Sequence, residues 1–145
     1  MHDLPRQLSV RELSELFEGE TALARRLAAE EDPLTTAPAV ARALPDREKI
    51  EALRAHPEIG ASTPSARSAA EQGAGGDPAV LDELAALNKA YEEKFGFRFV
   101  VFVDGRPKHE LLPILRWRIQ RTRAEELETG LDELVEIARA RWRAR

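Results

Sequence analysis

The chain has 145 residues with 22 Lys and Arg against 26 Asp and Glu, a formal net charge of −4, and 1–145 reads as a single domain with enough chain for a full core. Without a cysteine it has no disulfides or thiolate metal sites, and its near-balanced charge argues against nucleic acid as a principal partner. No apolar run approaches the roughly 20 residues of a membrane span, and Met1-His2-Asp3-Leu4-Pro5 has no signal-peptide pattern, so the expectation is a cytoplasmic protein that does not enter membranes.

Helix punctuation begins early. Ser9 and Glu12 form a capping box, with Leu8 set to staple against Leu13. This opens a short helix to about Phe17, stopped near Gly19. Thr21 caps a second helix with Leu23, Leu27 and Ala28 on one face, and Asp32-Pro33 ends it. A short helix is expected from about Pro38 to Leu44. Asp46 caps the next, which turns Ile50 and Leu53 inward. That helix must stop at His56, because Pro57 drives the preceding residue out of the α region.

Gly60 begins a loop, and Thr63-Pro64 restarts a helix with Pro at its first position. This helix carries Ser68, Glu71 and Gln72 and breaks at Gly73-Ala74-Gly75-Gly76. Asp77-Pro78 repeats the start signal. Leu81, Leu84, Leu87, Asn88, Tyr91 and Phe95 then recur at helical spacing until Gly96. The segment Phe97-Arg98-Phe99-Val100-Val101-Phe102-Val103 is rich in β-formers. No other segment offers it a strand partner, and a lone strand cannot satisfy its own backbone. It is therefore either a buried extended segment or a helix overridden by packing. Lys108 to about Arg121 is helical around Pro113. Thr122 and Glu125 form a second capping box, opening a last helix with Leu127, Leu131, Leu134, Val135, Ala138 and Trp142 on one face. The fold class is all-α: a compact bundle of about seven to nine short helices with one extended segment near Phe97-Val103.

Three groups of residues offer chemistry. His56 stands at a helix C-terminus, which favours a protonated imidazole, and an ordinary imidazole needs little tuning for proton transfer at neutral pH. The alternative is a histidine that merely bonds the last carbonyls of its own helix. Ser68, Glu71 and Gln72 share one helical face and suit a small polar ligand with both donors and acceptors, such as a ureido or imide group; the alternative is a solvated face. Arg141 leans toward the apolar face of the last helix, where a guanidinium needs a carboxylate or an anionic ligand, unless its head reaches water along a packed stem. Arg139 shares a face with Asp132 and Val135 and reads as a surface pair. Arg116, Arg118, Arg121 and Arg123 are followed at once by Glu125, Glu126 and Glu128 and read as a charged helix surface. His2, His56 and His109 have no metal-ligand spacing, so no metal is expected.

Taken together, His56-Pro57-Glu58-Ile59-Gly60, Ser68-x-x-Glu71-Gln72 and Leu87-Asn88-x-x-Tyr91-x-x-Lys94-Phe95-Gly96-Phe97-x-Phe99-Val100 resemble the 2-oxo-4-hydroxy-4-carboxy-5-ureidoimidazoline (OHCU) decarboxylases of urate breakdown. The last helix, with Ile137-Ala138-Arg139-Ala140-Arg141-Trp142, is similar to that family's closing Arg-rich helix. The resemblance implies an all-helical, cofactor-free enzyme, often a homodimer, that removes carbon dioxide from an anionic ureido substrate to leave (S)-allantoin. It implies a catalytic role for His56, with Glu71 beside it. It also implies substrate contacts from Pro57, Ser68 and Gln72, from the backbone of Phe99 to Val103 around Val101, and from Arg141 with Arg139 as the fallback. Two other readings stay open: a related helical enzyme acting on another ureido or cyclic-amide acid, and a non-catalytic helical binding module.

Overall fold

The helix-start signals act where the sequence places them. In the computed structural model, which describes residues 4–57 and 77–145, α1 (Val10–Leu16) opens on the reciprocal capping box. The Glu12 N–H donates to the Ser9 hydroxyl at 3.0 Å, and the Ser9 N–H to the Glu12 carboxylate at 3.1 Å. Thr21 caps α2 (Ala22–Leu27) through its hydroxyl. Then follow α3 (Pro33–Ala43) and α4 (Asp46–Ala55). Asp77 caps α5 (Pro78–Phe95), and Gly96 closes it with a φ of 81°, a left-handed conformation that costs glycine nothing. α6 (Lys108–Arg118) and α7 (Arg123–Arg143), the latter opened by the Thr122–Glu125 box, complete the described chain. Seven helices and no strand are thus present among the described residues, and the expected all-α bundle is what the chain forms. The helix expected from Thr63-Pro64 lies outside the described residues, as do Ser68, Glu71 and Gln72.

Three boundaries differ from expectation. Asp32-Pro33 starts α3 rather than ending α2, which stops at Leu27; Pro is welcome at a first position because its missing N–H needs no intrahelical partner. Pro38 therefore lies inside α3. Its missing N–H leaves the Leu34 carbonyl, one turn back, without a helical donor, and the Arg139 Nε–H of α7 donates there at 2.9 Å instead. Asp46 is the first helical residue of α4, while Pro45 holds the cap position without a side-chain bond; an acidic residue in the first turn still suits the positive end of the helix. α6 ends at Arg118, short of Arg121.

α7 is the spine of the bundle, with α1, α3 and α4 packed on it; α2 packs on α1, α3 and α4, and α5 pairs with α6. Gly130 permits the α4–α7 approach, since a Cβ there would stand 3.1 Å from Leu53 Cδ2. That contact sets α4, and so His56 at its end, in register against α7. Of the two alternatives for Phe97-Val103, the non-helical one holds: residues 98–103 form neither helix nor strand, and Phe97, Phe99, Val100, Val101 and Val103 are buried. The Tyr91 ring anchors this segment, with centroids 6.0 Å from Phe97 and 5.2 Å from Phe99. Aromatic contacts of this kind contribute beyond the area they bury. Asp104 (φ 51°) and Gly105 (φ 73°) then turn the chain into α6, a pairing that tolerates successive left-handed residues.

Candidate active site

His56 caps the C-terminus of α4 with an extended backbone (φ −80°, ψ 135°), as Pro57 demands, and Pro57 itself is half-buried beside it. The imidazole is 6% exposed. It does not bond the terminal carbonyls of its own helix. Arg98 takes that task, its Nη1 donating to the His56 carbonyl at 2.9 Å and to the Arg54 carbonyl at 3.3 Å, while its Nε holds Glu92 at 3.0 Å. His56 Nδ1 is buried with no hydrogen-bond partner among the described residues. Burial first, then the positive charges of Arg141 and Arg98, push the His56 pKa from its ordinary 6.5 down to about 3. The expectation of a protonated imidazole at the helix end is therefore corrected. Loss of water around the ring outweighs the modest attraction of a helix terminus, and the ring is neutral at physiological pH.

Arg141 is 3% exposed, so its head does not reach water. Its Nη1 donates to the Leu16 carbonyl at 2.8 Å, and its Nη2 pairs with Glu18 at 2.9 Å. Both partners come from the end of α1, where Glu18 adopts a φ of 64°, a region few non-glycine residues enter. Such strain persists only where the surroundings fix it, and it gathers at functional sites. Arg139 is directed elsewhere, to the Leu34 carbonyl of α3 and to Glu136 at 2.8 Å. Its expected face partner, Asp132, instead binds Arg42 at 2.9 Å. The described residues thus bring the charge of Arg141 to bear on His56, while Arg139 closes the gap that Pro38 leaves in α3.

Val101 lies in the buried irregular segment, and neither its N–H nor its C=O has a hydrogen-bond partner among the described residues. Behind this segment is an ion network that corrects the reading of a charged surface. Arg118 is 2% exposed and Glu126 fully buried. Arg118 Nε donates to Glu126 Oε1 at 2.8 Å, the Tyr91 hydroxyl donates to the same oxygen at 2.7 Å, and Arg121 Nη1 donates to Oε2 at 2.9 Å. Burial and the bond to Glu126 push the Tyr91 pKa upward, so its hydroxyl stays a donor. The signal was present in the spacing: Arg118 falls on the face of Leu111 and Leu115, and Glu126 on the face of Gly130 and Leu134. Arg98 and Glu18 also escaped the sequence reading, Arg98 among β-formers and Glu18 in a turn without a motif. Among the described residues no three His, Asp or Glu side chains group as a metal site, and no helix is long and apolar enough to cross a membrane.

A family model described as OHCU decarboxylase matches residues 2–143. A 2-oxo-4-hydroxy-4-carboxy-5-ureidoimidazoline decarboxylase of Halalkalicoccus jeotgali is 33% identical over 100 residues, covering 66% of this chain and 57% of that protein. The protein of the same description from Haloferax volcanii is 36% identical over 115 residues, covering 71% of this chain and 66% of its own length. The chain therefore spans somewhat less than two thirds of the length of these relatives. A crystal structure of OHCU decarboxylase in the presence of (S)-allantoin superposes with a TM-score of 0.75 at 25% identity, covering 90% of this chain and 94% of that one.

Proposed function

This chain belongs to the OHCU decarboxylase family, and from that membership we propose that it converts 2-oxo-4-hydroxy-4-carboxy-5-ureidoimidazoline to (S)-allantoin as a cofactor-independent decarboxylase of urate breakdown. The observation that carries the reading is a buried neutral imidazole, with one ring nitrogen unbonded among the described residues, under the field of a buried guanidinium. A neutral ring accepts a proton, and a nearby fixed cation favours an anionic substrate. Such a pairing suits a reaction that begins with a carboxylate and moves protons as carbon dioxide departs.

The substrate arrives as a carboxylate and is drawn by Arg141, whose orientation Leu16 and Glu18 hold. When the bond to the carboxyl carbon breaks, its electron pair forms a C=C bond to the ureido-bearing carbon, and the displaced C=N pair takes up a proton from solvent on the ring nitrogen. The resulting enol loses its hydroxyl proton and gains one on the ureido-bearing carbon. His56 serves these proton movements from one face, which makes the product a single enantiomer. The backbone of Val101, together with Pro57, flanks the ring of the substrate. Ser68, Glu71 and Gln72 hold its ureido group, with Glu71 orienting the N–H groups toward His56; Arg139 is the second choice for the anion. We read 1–145 as one OHCU-decarboxylase-like domain, working in the cytoplasm as a homodimer on this small anionic ureido substrate.

The test follows optical activity. Freshly generated OHCU mixed with the purified protein should give circularly dichroic (S)-allantoin at least a hundredfold faster than the spontaneous reaction. Racemic product at the spontaneous rate contradicts the proposal. A shift in melting temperature with allantoin but no turnover would favour the non-catalytic binding module.

A further inference from the structure

A segment with no regular structure has nothing of its own to fix its peptide planes, yet two planes around Val101 are held by charged side chains from outside it. Arg118 Nη1 donates to the Val100 carbonyl at 2.7 Å, with its guanidinium carbon 4.5 Å from the Phe99 ring centroid. On the other side of Val101, Glu133 of α7 accepts the Phe102 N–H at 3.3 Å. A peptide unit is planar, and none here is cis. Its C=O and N–H therefore point in opposite directions. Holding the Val100 carbonyl against Arg118 turns the Val101 N–H away from Arg118. Holding the Phe102 N–H against Glu133 turns the Val101 C=O away from Glu133. One donor and one acceptor on a single buried residue are thus both set by residues that do not face them.

The energetics point the same way. Burying Arg118 and Glu126 together carries a desolvation cost that apolar side chains of the same size would not. Stability therefore gives little reason for a guanidinium there, whereas its fork reaches Glu126 and the Val100 carbonyl at once, a geometry lysine does not offer.

Resting on the decarboxylase reading for its ligand, we propose that Arg118 and Glu133 are positioning residues that preset the Val101 N–H and C=O as a donor–acceptor pair for the N–H and C=O edge of a ureido or cyclic-amide ring. The pair holds ground state and transition state alike, so its loss raises KM and leaves kcat in place.

Glu133 is half-buried, so Glu133→Ala is expected to fold. With OHCU as substrate it should raise KM about tenfold with kcat within twofold. Glu133→Gln, which keeps an acceptor oxygen, should restore most of the affinity. Arg118→Lys should give the same KM-selective change. A purely structural role would lower melting temperature without touching KM. A second readout needs no substrate: amide residual dipolar couplings of Val101 and Phe102 should change in Glu133→Ala and stay put in Glu133→Gln. Unchanged KM in both Glu133→Ala and Arg118→Lys, while the wild type turns over OHCU, overturns the positioning role and leaves the decarboxylase reading intact. If the wild type itself does not turn over OHCU, the decarboxylase reading fails; unchanged couplings then overturn the positioning role, and reoriented ones support it.

Discussion

His56→Asn is expected to lower kcat on OHCU by about 10²–10⁴-fold, the usual contribution of a positioned general acid–base group, while the protein stays folded. No bond to Nδ1 is lost among the described residues, so the change strands no donor there. Two pH effects accompany it. Because burial and the two arginines hold the ring near a pKa of about 3, kcat/KM of the wild type should show no acid limb at 6.5, and any fall should begin well below pH 5. Stability behaves differently. Between pH 6.5 and about 3 the unfolded chain binds a proton at His56 that the folded chain refuses, so stability rises with pH across that window and is lost as pH falls through it. This group alone removes roughly 1 kcal/mol per pH unit there. In His56→Asn the acid side of a melting-temperature profile should therefore be shallower than in the wild type. Full activity in the variant, or superimposable acid limbs, contradicts the assignment.

Glu126→Leu is expected to cost about 3–5 kcal/mol of stability, because removing one member of a buried charge network leaves the others unpaired. Its carboxylate accepts from the Tyr91 hydroxyl, Arg118 Nε and Arg121 Nη1, and Tyr91 and Arg118 are buried away from any water that could replace it. With a total stability of about 5–15 kcal/mol for a domain, the variant should melt at least about 10 °C lower. Glu126→Gln keeps an acceptor and should lose less. Adding Arg118→Met to Glu126→Leu should recover part of the loss, since an apolar pair carries no desolvation cost. Chemical denaturation of the three variants checks the order; a loss below about 1 kcal/mol in Glu126→Leu would mean the network is not buried in solution.

Much of this molecule was written in short-range signals. Both capping boxes, the Asp77 start, the Gly96 stop and the halt at His56-Pro57 appear as expected because each depends on residues a few positions apart. What failed needed the third dimension. Pro38 read as a helix start because its orphaned carbonyl partner, Arg139, is more than a hundred positions away. The charge state of His56 was misjudged because a helix end is local, whereas the burial that decides it comes from the packed bundle. Arg118 and Glu126 looked like solvated charges because their neighbours in sequence are charged; their helical faces told otherwise. Arg141, placed by its face on α7, is indeed buried, but its partners Leu16 and Glu18 lie in the N-terminal third, where no motif marked them. The segment around Val101 was legible only as two alternatives, a buried extended stretch or a helix overridden by packing, and not as a backbone aimed from behind.

A crystal structure of this protein with (S)-allantoin bound decides where the ligand sits. The ligand is expected within hydrogen-bond distance of the His56 ring and of the Val101 N–H and C=O, on the side from which Arg141 acts. Allantoin seated instead in the open groove lined by Arg42, Asp46, Lys49, Arg123 and Glu128, with His56 untouched, would contradict this placement.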